Sequence, residues 1–143
     1  DFERLQEALK TLDYRVDVME PGVSLGAIFD HVPVMFSFDT SGRFLSIRSV
    51  WDTGMAPEAA AQSMFAAADG WNREKYFPTV YTITSPTGTV QVCADMIIDT
   101  RMGLSDAQLS DDIGVGTSTG INAIEYMQQA ASATLGWTPP TGQ

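Results

Sequence analysis

Two alternating apolar stretches joined by a short turn constrain this chain more than any other feature. Val34, Phe36 and Phe38 face one way, and Met35 and Ser37 the other. Leu45, Ile47, Ser49 and Trp51 then share a face opposite Ser46 and Arg48. A repeat of this kind marks strands with one buried side. The residues between them, Asp39-Thr-Ser-Gly-Arg43, suit a hairpin loop with glycine in its late position. Consecutive strands joined this closely must run antiparallel. An antiparallel sheet is therefore the frame on which the rest must pack.

The flanking segments supply helices and further strands. Phe2, Leu5, Leu9 and Leu12 recur at helical spacing, which predicts an amphipathic helix over Phe2–Asp13. Tyr14–Glu20 alternates, and Pro21-Gly22 ends it; Val23–Phe29 carries a shorter and less regular strand pattern. Pro57 suits the first turn of a long helix reaching about Tyr76. Its stripe of Ala61, Met64, Ala68 and Trp71 should be buried, with Asp69 and Arg73 paired one turn apart on the other side. Thr79–Thr84 and Thr89–Asp99 read as a hairpin around Ser85-Pro-Thr-Gly88. Leu104–Asp112 reads as a short helix capped by Ser105, and Gly120–Leu135 as the last helix. Pro139 and Pro140 mark a loose tail. The expected class is α+β, an antiparallel sheet of about five strands with helices packed on it, in the order α-β-β-β-α-β-β-α. One domain over residues 1–136 and a flexible tail over 137–143 complete the expectation.

Charge and composition exclude whole classes of function. The net charge is −10, and no Lys or Arg follows Arg101. Nucleic acids and anionic membranes recruit clustered cations, and this chain carries the opposite field. No apolar run approaches the ~20 residues of a membrane helix, and no charged-then-apolar leader opens the sequence. Cys93 is the only cysteine and His31 the only histidine. A disulfide framework and the common zinc sites are thus out of reach, and the cytoplasm is the expected compartment.

Several stretches together resemble a known family. Phe36-Ser-Phe-Asp-Thr-Ser-Gly42, Trp71-Asn-Arg-Glu-Lys-Tyr-Phe-Pro78, and Val90–Asp99 followed by Gly103-Leu-Ser and Gln108-Leu109 lie in the order found in YbjN-type proteins. These bacterial proteins, called sensory transduction regulators, share the fold of type III secretion chaperones. The resemblance implies that fold, and no enzyme activity, cofactor or catalytic residue.

The candidate sites are few. Gly114-Val-Gly-Thr-Ser-Thr-Gly120 resembles a phosphate loop, but acidic Asp111-Asp112 precedes it and the Lys-Ser/Thr of a nucleotide loop is absent. It reads as a helix cap that binds no nucleotide. Asp95 and Asp99 share one strand face with Gln91 and Cys93 and read as a solvent- or partner-facing side, with Cys93 an inert thiol. His31 with Asp30 or Asp17 is the one dyad the chain could offer. Trp51, Met55 and Arg73 are the candidate interface residues.

The leading expectation is a non-catalytic protein-interaction module of regulatory or chaperone-like type. It needs no cofactor, its partner is a protein, and its open sheet edges invite a homodimer. The alternatives are a small-ligand-binding regulator and a small enzyme using His31 and an Asp.

Overall fold

The alternation read from the sequence becomes a six-stranded sheet, in a computed structural model that describes residues 1–140. The chain runs α1 (Phe2–Thr11), β1 (Asp17–Glu20), β2 (Ser24–Phe29), β3 (Val32–Phe38), β4 (Phe44–Asp52), α2 (Pro57–Glu74), β5 (Thr79–Thr84), β6 (Val90–Asp99) and α3 (Asp106–Leu135). The strand order is β1-β2-β3-β4-β6-β5, and every neighbouring pair is antiparallel. The α+β class and the antiparallel sheet are as expected. The strand count is not: the irregular pattern of Val23–Phe29 forms a full strand, paired residue for residue from Ser24↔Ser37 to Phe29↔Val32. That strand hides its alternation because Gly26 occupies an outward position.

All three helices lie on one face of the sheet. Leu25, Val34, Phe36, Leu45, Ile47, Val92 and Ala94 point into that layer and are buried with Leu5, Leu9, Met64, Ile124 and Met127. In α2, Ala60, Met64, Ala68 and Trp71 are buried, and Trp71 Nε1 donates to the Pro78 carbonyl at 3.0 Å. The stripe is the expected one, with Ala60 in place of half-buried Ala61 at its start. Asp69 and Arg73 pair at 3.0 Å on the outer side of the helix.

The largest correction concerns the glycine-rich segment. Residues 114–120 are neither loop nor cap but the middle of α3, one continuous helix of 30 residues. Ser105 and Gln108 form a reciprocal capping box at its start. Glycine inside a helix costs ~1 kcal/mol relative to alanine. Here it buys contact: a Cβ on Gly116 would stand 2.6 Å from Ile47 Cδ1, and one on Gly120 would collide with the Ser49 hydroxyl. The two glycines let α3 lie directly on β4. Ser118 and Thr119, which suggested a phosphate loop, donate instead to the carbonyls of Gly114 and Val115 within the helix, at 2.9 and 2.6 Å.

Of the segment expected as a tail, residues 137–140 are described and 141–143 lie outside the described residues. Trp137 packs edge to face on Trp51, with ring centroids 4.9 Å apart.

Candidate functional site: the sheet face without helices

Strand register builds the opposite face of the sheet. Asp17 stands across from Gly26, Gly26 from Met35, Met35 from Arg48, Arg48 from Asp95 and Asp95 from Thr79, a single row over six strands. Ile28 and Pro33 face each other in the next row, as do Val50 and Cys93, and Cys93 and Tyr81. No helix among the described residues covers this face. Met19, Ile28, Ile83 and Ile97 stand exposed on it, Ile28 at 72%.

The half of the face over β1–β4 is apolar and concave. Met19, Ile28, Pro33, Met35 and Val50 line an open groove of about 570 Å³, together with Arg15, Asp17 and Gln91. Gly26 is its floor, since a Cβ there would stand 2.8 Å from the Met19 sulfur. The bulge between Val18 and Glu20 turns Met19 onto this floor. Methionine side chains adapt to irregular partners, so such a groove can accept apolar side chains of differing shape.

The other half is polar and already satisfied. Arg48 Nε and Nη2 donate to the two oxygens of Asp95 at 2.7 and 3.1 Å, and the Tyr81 hydroxyl donates to the same carboxylate at 2.8 Å. Burial, and then the neighbouring carboxylate, push the Tyr81 hydroxyl well above the usual tyrosine range. Burial likewise raises the Cys93 thiol. Arg43 holds Asp99 through two bonds, at 3.0 and 2.7 Å, and keeps its carboxyl well below the ordinary range. Asp95 and Asp99 do share a face, as their spacing implied, but each is neutralised by its own arginine. An acid–base pair needs one carboxylate free to exchange a proton. No local pattern points to these partners, because register alone brings Arg48 to Asp95.

The other candidate residues are scattered. Trp51 lies on the helix side of β4, is 9% exposed, and packs edge to face on Trp137. Met55 is half-buried in the connection to α2, where its N–H donates to Thr53 Oγ1 at 3.1 Å. Arg73 is exposed on α2 and engaged by Asp69. Asp30 and His31 form the β2–β3 turn, while Asp17 sits on β1. His31 forms no ion pair with either among the described residues. No group of three or more His, Cys, Asp or Glu among the described residues is placed to hold a metal ion. Nor is any helix among them long and apolar enough to cross a membrane.

The outer edges of the sheet are blunted. On β5, Asn72 of α2 bonds both backbone groups of Val80, at 2.8 and 2.9 Å, in the manner of a neighbouring strand. On the other side, β1 has four residues, is bulged, and carries Asp17 and Glu20. Charges, bulges and covering groups of this kind discourage strand addition.

Comparison with known proteins places this architecture. The YbjN family model, described as "Putative bacterial sensory transduction regulator", matches residues 1–129. The crystal structure of YbjN from E. coli superposes with a TM-score of 0.70 at 12% identity, over 94% of this chain and 93% of that one. An uncharacterized protein from Methanothermobacter thermautotrophicus gives 0.56 at 11% identity, over 89% and 96%. A chain of the HopA1–SchA chaperone–effector complex gives 0.52 at 17% identity, over 96% of both chains. No curated protein matches the chain.

Proposed function

This chain belongs to the YbjN family, and on that footing we propose that it works by binding another protein, in a regulatory or chaperone-like role, through the helix-free face of its sheet. The observation that carries the reading is the apolar groove of Met19, Ile28, Pro33, Met35 and Val50. Exposed apolar surface gathered in a concavity is costly to leave in water and marks a place for a partner. The fold shared with a chain of a chaperone–effector complex supports the same reading. Chemistry finds no equal support. The acids with the strongest interactions are locked to arginines, and the one histidine stands on a turn apart from them.

The blunted edges favour the face over the edge as the contact surface. A homodimer, the expectation drawn from open edges, would on this account also form through the face. Photo-crosslinking residues placed singly at Ile28, at Met35 and at Phe65 test the reading in the native cell. Phe65, 68% exposed on α2, matches Ile28 in exposure and lies on the helix layer. Crosslinks to one defined protein from Ile28 and Met35, and none from Phe65, are the expected result. Equal crosslinking from all three positions would remove the face from its role.

A further inference from the structure

At the β2–β3 turn lies a second cavity, of about 530 Å³, which shares Pro33 and Val50 with the apolar groove. The turn supplies Asp30 and His31, the end of β4 supplies Trp51 and Asp52, and the chain beyond α3 supplies Trp137 and Pro139. Three observations single it out. First, Asp30 and His31 hold positive φ, 49° and 67°. Two successive positive φ values are the ordinary geometry of a two-residue hairpin turn, and the turn holds both residues in the cavity wall. Second, the chain after α3 is tied down beside the cavity. The Trp137 N–H donates to the Ala131 carbonyl at 3.3 Å, and the Ser132 hydroxyl to the Trp137 carbonyl at 2.8 Å. Third, the fixed charges are of one sign. Asp52 Oδ1 accepts from the Gly54 N–H and the Thr89 hydroxyl at 3.0 and 2.7 Å, while its Oδ2 and the Asp30 carboxylate have no hydrogen-bond partner among the described residues. None of the described residues lining the cavity is a lysine or arginine.

We propose that this cavity takes a cationic group on an apolar stem, the arginine or lysine side chain of a partner segment lying in the adjoining groove. Aromatic walls and unpaired carboxylates attract a cation, and indole and proline rings suit the methylenes that carry it. An anion would meet two carboxylates and a chain of net charge −10. The same charge disfavours a second copy as the occupant. Pro33 and Val50 line both the groove and the cavity, so one extended segment can fill the two together. The proposal rests on the protein-binding reading of the sheet face and adds to it the chemistry of the partner.

Two of the three tryptophans wall the cavity, so their emission reports its occupancy. The probes are butylguanidinium, its uncharged isostere butylurea, and a short peptide of alternating leucine and alanine ending in arginine or in citrulline. Butylguanidinium should change the emission saturably at millimolar concentration, and butylurea should not. Asp30→Asn should weaken that response about fivefold or more, because it removes the charge while asparagine still suits a left-handed turn. Asp52→Asn gives an independent check and keeps the acceptor used by Gly54. The arginine peptide should bind about tenfold more tightly than the citrulline peptide. Equal responses to butylguanidinium and butylurea, or unchanged affinity in both variants, would overturn the cation site. Equal binding of the two peptides would overturn it too, while leaving the groove in place. Saturable butylguanidinium with no peptide binding would uphold the cation site, overturn the partner segment as its source, and count against the protein-binding reading.

Discussion

Arg48 and Asp95 face each other directly across the β4–β6 ladder, and the guanidinium holds both carboxylate oxygens. The pair sits mid-face, where Asp95 is 9% exposed, and it turns two charges into a neutral, rigid floor beside the apolar groove. Arg48→Met leaves that carboxylate without its cation. The expected loss is about 2 kcal/mol, below the ~3–5 of a fully buried pair because the Arg48 side chain is itself 40% exposed. Chemical denaturation checks the figure, and the double variant Arg48→Met with Asp95→Leu should recover most of it.

Gly114, Gly116 and Gly120 should respond to alanine with different signs. Nothing lies within 4 Å of a Cβ at Gly114, so Gly114→Ala should stabilise α3 by about 0.5–1 kcal/mol. Gly116→Ala drives a methyl into Ile47 and should cost about 1–3 kcal/mol despite the better helix propensity. Thermal melts of the two variants measure both. Opposite shifts are expected of one continuous helix on β4, and a loop at these residues would not produce them. The same continuity predicts no saturable heat on titration with ATP, since the backbone N–H groups of 114–120 lie within the helix.

Cys93 should be nearly unreactive in the native state. It is buried in the sheet, and burial raises its thiol above the ordinary range. The sign follows: the folded chain keeps a proton that the unfolded chain releases above its pKa near 8.5. This contribution to stability is present below that pH and declines above it. A disulfide reagent at pH 8 should modify Cys93 at least about a hundredfold more slowly than the denatured chain.

Asp99 should titrate at unusually low pH, because Arg43 first, and then the Arg101 N–H, stabilise its charged form. A depressed carboxyl stabilises the fold above the unfolded value near 3.9 and loses that contribution as pH falls toward its own lower value. Carbon-detected NMR titration should show this, and Arg43→Gln should move the transition upward.

Much of the fold was legible because its cause was local. The β3–β4 hairpin and the buried stripe of α2 follow from alternation, turn residues and helical period, which need no knowledge of distant neighbours. What escaped was set by contacts far apart in sequence. Gly116 and Gly120 read as part of a helix cap until Ile47 and Ser49 are placed beneath them. Arg48 meets Asp95 through a register no single strand reveals. Trp137, in a segment rich in proline, looked untethered until Trp51 received it. The groove escaped for a related reason. Met19, Ile28 and Met35 belong to three strands, and only the sheet gathers them on one side.

The central claim is that the helix-free face binds a protein, and titration of the crosslinked partner tests it most directly. Wild type, Ile28→Glu and Phe65→Glu should be compared by calorimetry after circular dichroism confirms that each is folded. Ile28→Glu is predicted to weaken binding about tenfold or more, and Phe65→Glu to leave it within about twofold. Undiminished affinity in Ile28→Glu, with loss in Phe65→Glu, would contradict the account and move the interface to the helix layer.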